Sequence, residues 1–249
     1  MIKKLLMLFK IGRKLSTSGT ISSIYKIYEP PLSIKILFFI IGLNFRNEKK
    51  ENKLSAGENL RTALQEMGTT FIKLGQFLAT RPDIMGEKIS LELEKLQDKL
   101  PAFQLYESKN ILKKELGEEN FLKISNLSEP IAAASIAQVH FANIKDGSET
   151  KQVAIKILRP DIEKIFNEEL DALMLLAYLI QSIVKKTKRL KLVEIVHLLR
   201  EITNIEMDLR FEAAAANEFN ENTKNDTGFE VPLIYWPYTS KNVLTLDMV

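Results

Sequence analysis

The sequence predicts an α+β chain: an all-helical amino-terminal part, then a small five-stranded antiparallel sheet with helices beside it. Three observations predict this. Apolar residues recur at spacings of three and four through the first part of the chain. Around Asp146-Gly147 the pattern changes to short, partly alternating runs on either side of a hairpin signal. Two long helical stretches then separate that hairpin from two further short apolar runs at the carboxy end.

The first fourteen residues, MIKKLLMLFKIGRK, mix five basic residues and no acidic one with large apolar side chains. They lack the unbroken apolar stretch and small-residue cleavage site of a signal peptide. Residues 34–43, IKILFFIIGL, form the most apolar run, but Lys35 interrupts it and its length is well short of the roughly 20 residues that span a bilayer. No transmembrane span is expected. Two readings of this end stay open: a buried helix, or a basic amphipathic segment resting on a membrane surface.

Residues 44–59, rich in Asn, Glu and Lys, read as an exposed linker. Leu60, Leu64, Met67, Phe71, Leu74 and Leu78 then form the stripe of one amphipathic helix, which Arg81-Pro82 should stop. Helices follow at about 87–99 and 106–116, with Gly117 as a C-cap. Strands are expected near 121–127, 136–144 and 152–158. Helices at about 161–185 and 192–222 flank the basic run KKTKRLK, read as a solvated loop. Residues 229–235 and 242–249 read as the last two strands. The expected organisation is a helical segment at 1–55, a helical extension at 56–118 and a sheet-bearing lobe at 119–249.

Composition narrows the function classes. Without cysteine there are no disulfides, thiolate metal sites or cysteine nucleophiles, which suits a reducing compartment. A net charge of +3 gives no case for nucleic acid. The expected location is cytoplasmic, either free or peripheral on the inner membrane.

Four short segments carry the candidate chemistry. Lys156 stands mid-strand in VAIK between apolar neighbours, so it either snorkels to water or meets an opposite charge. Upstream, in PIAAASIAQVH, Ala132, Ala134, Ala137 and Val139 fall on the three glycines and the valine of the G-x-G-x-x-G-x-V nucleotide loop. Glu206, Asp208, Arg210 and Glu212 cluster in EMDLRFEA, where the i, i+4 spacing puts Asp208 and Glu212 on one helix face. In KLGQ, Lys73 and Gln76 point the same way beside the apolar stripe, and Gly75 inside a helix suggests close backbone approach. On spacing alone these two read equally as helix-border residues. His140 and His197 have no metal-ligand pattern around them and read as packing residues.

Together these segments resemble the UbiB/aarF family of atypical protein-kinase-like proteins, linked to ubiquinone biosynthesis. KLGQ is similar to its KxGQ motif, AAASIAQVH to its alanine-rich loop, VAIKILRP to its lysine strand, and EMDLRFEA to its ExD motif with the helix-C glutamate. The resemblance implies a kinase-like amino-terminal lobe of five antiparallel strands and a helix C. Lys156 would be the nucleotide lysine, Glu212 its partner, and Ala132, Ala134, Ala137 and Val139 the nucleotide loop. Lys73 and Gln76 would fold across the place where ordinary kinases bind peptides, meeting Glu206 and Asp208. ATP or ADP with Mg2+ is the implied cofactor, and a small molecule such as an isoprenoid lipid the implied substrate.

Within these 249 residues there is no HRD-like or DFG-like stretch, so neither a catalytic residue nor a metal ligand is assigned. The corresponding expectation is a form truncated at the hinge or split from a separate carboxy-terminal-lobe chain, inactive alone. The alternative is a non-enzymatic remnant or interaction module that binds a partner chain, a nucleotide or a membrane surface, or that forms a homo-oligomer.

Overall fold

The computed structural model describes residues 2–17, 32, 36, 54–96, 100–183, 185–226, 228 and 230–248. Most of the apolar run at 34–43 and of the linker at 44–59 lies outside them. The helices are α1 (Ile2–Thr17), α2 (Ala56–Met67), α3 (Thr69–Ala79), α4 (Pro82–Met85), α5 (Glu87–Leu93) and α6 (Leu105–Leu122), then α7 (Ile162–Ile183), α8 (Leu192–Glu206) and α9 (Leu209–Thr223). The strands are β1 (Ile124–Ser125), β2 (Ala132–Ala133), β3 (Ala137–Asp146), β4 (Glu149–Leu158) and β5 (Val243–Asp247). The chain is α+β, as expected, and forms two compact units: Met1–Asp98 with Lys164–Glu201, and Lys99–Glu163 with Ile202–Val249.

In the first unit, α2 begins on a capping box. Ser55 Oγ accepts from the Glu58 N–H (3.2 Å), and the Glu58 carboxylate accepts from the Ser55 N–H (2.7 Å), so two orphan helix donors are satisfied. The linker therefore ends earlier than 59. The single helix expected through Leu78 is two helices, broken at Gly68, whose φ of 103° is open to glycine. The break resets the helical phase. Leu60, Ala63 and Leu64 are buried in α2, and Phe71, Ile72, Gly75 and Ala79 in α3, whereas Leu74 and Leu78 of the expected stripe are only half-buried. Pro82 ends that run and opens α4 at its first position, where its missing N–H costs nothing. The basic run after α7 is a 3-10 helix, Lys185–Leu190, with Lys188 and Arg189 exposed.

In the second unit all sheet pairings are antiparallel, in the order β1-β3-β4-β5, with β2 also on β3. The β3–β4 hairpin turns at Gly147-Ser148, where Asp146 pairs with Glu149. Its inward residues Ala142, Ile144, Val153, Ile155 and Ile157 form the core with Val243, Leu112 of α6 and Tyr238.

Three expectations need correction here. Residues 121–127 are mostly not strand: α6 continues to Leu122 across a kink at Gly117 (φ 75°), leaving two residues for β1. Of the strand expected at 229–235, the described residues 230–235 form only a single bridge, Ile234 to Leu246. Pro232 cannot donate to a ladder, and the chain turns at once into the 3-10 helix Trp236–Tyr238. The fifth strand is β2 instead. Finally, the helix expected over 192–222 is interrupted at Met207-Asp208.

Candidate functional site

The β-strand alternation decides where Lys156 points. Val153, Ile155 and Ile157 face the core and are fully buried, so Ala154 and Lys156 face the other side of the sheet. Cross-strand pairing sets Val139 and Leu244 beside Lys156, and Phe141 and Leu246 beside Ala154. Val139, Ala154, Lys156 and Leu246 are all half-buried, which makes this face a shallow shelf of small and apolar side chains with one ammonium on it. Ala154 and Leu246 were not singled out from sequence. The signal that finds them is their register opposite one another, beside the lysine row.

The counter-charge arrives from α9. Asp208 caps that helix, its carboxylate accepting from the Arg210 N–H (3.1 Å). The Leu209 N–H donates to the Lys241 carbonyl (2.9 Å), and buried Leu209 and Ala213 seat the helix. One turn on from the cap, Glu212 meets Lys156: Nζ donates to both carboxylate oxygens, at 2.7 and 2.9 Å. The lysine side chain is 26% exposed and the glutamate 51%, so the pair is open to solvent.

Asp208 and Glu212 therefore do not form a like-charged pair on one helix face. Asp208 has extended backbone and lies outside the helix. The Arg210 guanidinium donates to its carboxylate from Nε and NH2 (2.9 and 2.6 Å) and holds it below the usual Asp range. Glu206 is half-buried at the end of α8, in the second unit, while Lys73 and Gln76 are half-buried on α3 of the first.

The alanine loop is a tight hairpin. Ala132 pairs with Val139 and Ala133 with Gln138, and the Ala134 N–H donates to the Ala137 carbonyl (2.8 Å). Among the described residues, positive φ outside glycine occurs at Asn126, Asp161 and Lys191, so no alanine of the loop takes the left-handed conformation that glycine permits. Arg159 pins the turn. Its guanidinium donates to the Ala134 carbonyl from Nε and NH2 (3.1 and 2.7 Å) and to the Pro101 carbonyl (2.9 Å), and lies over the Phe103 ring.

Gln138 and His140 face the opposite way and are fully buried. Gln138 binds the Phe103 backbone twice, accepting from its N–H (2.9 Å) and donating to its carbonyl (3.2 Å). Its amide also donates to Ser108 Oγ, whose hydroxyl donates to His140 Nε2 (3.0 Å each). The Ser128 carbonyl can only accept, so Nδ1 of His140 carries the proton (2.8 Å). Burial holds this imidazole below its ordinary pKa. The Gln and His of AAASIAQVH are thus structural ties from β3 to Phe103, to Ser108 of α6 and to Ser128, and Arg159 is a tie sequence reading missed.

Among the described residues no three His, Asp or Glu side chains are grouped to hold a metal ion.

The ABC1 atypical kinase-like domain family matches residues 95–249. Relatives named "Probable protein kinase UbiB" are similar over a longer stretch. That of Marinobacter nauticus is 36% identical over 89% of this chain and 40% of its own length. That of Cellvibrio japonicus is 39% identical over 79% of this chain and 35% of its own length. The chain thus spans well under half of these relatives.

Proposed function

Because the chain belongs to the UbiB/aarF family of ABC1 atypical kinase-like proteins, we propose that its second unit is the amino-terminal half of a nucleotide site, serving an ATP-using protein of quinone biosynthesis. The observation that supports this most is the Lys156–Glu212 pair on an open sheet face. A buried structural ion pair would be dry and fully committed, whereas this ammonium is reachable from solvent and held at a fixed place.

ATP or ADP with Mg2+, when bound, supplies the phosphoryl group and the cation that spreads its charge. The residues of this chain bind and orient it. Lys156, held in place by Glu212, would donate to phosphate oxygens of the bound nucleotide. The shelf of Val139, Ala154 and Leu246 takes the flat apolar face of the base, with Ala154 too small to block it. The loop at Ala132, Ala134 and Ala137, pinned through Ala134 by Arg159, is a stiff roof: it has no glycine with which to fold over a γ-phosphate. The metal ligands and the catalytic groups come from residues outside these 249, on the same or a separate chain. The substrate is a small molecule of isoprenoid type rather than a protein.

The test is equilibrium binding of a fluorescent ADP analogue to the 249-residue chain in Mg2+. Weak binding is expected, reduced by roughly tenfold or more in Lys156→Ala, since a hydrogen bond to a charged group contributes about 1.5–3 kcal/mol. Glu212→Ala should weaken it less and leave the melting temperature nearly unchanged, because a solvent-exposed pair contributes at most about 1 kcal/mol. Equal binding by the wild type and Lys156→Ala would exclude the lysine from the site.

A further inference from the structure

Helix α1 carries apolar side chains on two opposite sides. Leu8 and Ile11 are 1% and 5% exposed, and the helix contacts α2. Leu6 and Phe9, by contrast, are 65% and 51% exposed. Lys10 and Arg13 are exposed as well, and at 3.6 residues per turn Leu6, Phe9, Lys10 and Arg13 share an arc of about 100° pointing away from Leu8 and Ile11. The outward side therefore alternates large apolar and cationic groups, and the inward side already satisfies the fold. The whole of residues 1–17 contains no acidic side chain.

Charge is divided between the two units in the same sense. The first holds 23 Lys and Arg against 15 Asp and Glu, the second 12 against 17. A net +3 chain is thus a net +8 unit joined to a net −5 unit. An exposed apolar pair set among cations, on the unit with the positive field, complements an anionic lipid leaflet: the apolar groups enter the headgroup boundary and the cations meet lipid phosphates. No helix among the described residues is long and apolar enough to cross a membrane, so the contact is one of lying on the surface.

We propose that α1 seats the first unit on an anionic membrane surface through Leu6 and Phe9, with Lys10 and Arg13 on the lipid phosphates. This is independent of the nucleotide reading, and either can fail alone.

The probe is co-sedimentation of the full 249-residue chain with phosphatidylcholine vesicles, alone or with roughly one-third phosphatidylglycerol. Binding is expected only to the anionic vesicles and should weaken in high salt. Leu6→Ser with Phe9→Ser, and separately Lys10→Glu with Arg13→Glu, should each lower the partition coefficient by roughly tenfold or more, given about fivefold per basic side chain near such a surface. Leu122→Ser, an exposed position in the other unit, should not change it. A second readout follows α1 itself: Phe9→Trp in a Trp236→Phe background should show a blue shift of emission on adding anionic vesicles. Equal partition of all variants would overturn the proposal. So would an emission already blue and unmoved by vesicles, which would mean that the chain's own residues cover this side. Variants that turn a dimer into a monomer would assign the surface to a second copy instead.

Discussion

His140 shows how one residue can be read correctly in kind and still hold more than sequence tells. Its place on an alternating strand marks it as a packing residue. Only the fold shows that Ser108, Gln138 and Ser128 surround both ring nitrogens. Because burial lowers its pKa in the folded chain, the unfolded chain takes up the proton first as pH falls. The stability owed to neutral His140 is therefore complete above the unfolded pKa near 6.5 and is lost as pH drops toward the lower folded value. Melting temperature measured between neutral and mildly acidic pH should fall more steeply for the wild type than for His140→Gln. Parallel curves would contradict this. Lys156 is the opposite case: its chemistry was legible from VAIK, but its partner could be assigned only through resemblance until α9 was seen to deliver Glu212 to within 2.7 Å.

At the scale of elements, the hairpin, β4, β5 and the helical extension were legible because their apolar patterns match their periods. The breaks were not. Across Gly68 the apolar spacing runs on as though the helix were continuous, and a φ of 103° leaves no mark on a hydrophobic pattern. Across Met207-Asp208 the sequence still reads as helix, because Asp208 is a cap whose carboxylate is turned back on Arg210. β2 was hidden because two alanines have little strand preference, and pairing with Val139 and Gln138 is a tertiary fact. Gly75 was read correctly as a close approach. A Cβ there would press on the side chains of Leu64 and Leu96, so Gly75→Ala should cost about 1–3 kcal/mol despite the better helix propensity of alanine. Chemical denaturation checks it, and a stabilised variant would show that α3 can shift to make room. The half-buried Lys73 two residues earlier should tolerate alanine with a loss in melting temperature below about 8 °C.

For the whole molecule, the organisation follows from two compact units with opposite net charge. The second unit presents the lysine, its glutamate and a stiffened alanine hairpin on one small sheet. The first carries KLGQ and the outward-facing apolar and basic side of α1. The relatives run to more than twice this length, so what their further residues add to the reaction is not inscribed in these 249. The alanines of AAASIAQVH are compatible with such a site without needing glycine's backbone freedom, since the hairpin reaches its turn with ordinary backbone angles. The most direct test of the nucleotide half-site tolerates weak affinity: backbone amide NMR of the chain titrated with millimolar ADP and Mg2+. Shifts should concentrate at Val139, Ala154, Lys156 and Leu246 and in the hairpin at Ala132–Ala133, and should vanish in Lys156→Ala. Shifts confined to other parts of the chain, or none at saturating nucleotide, would contradict the site proposed on that sheet face.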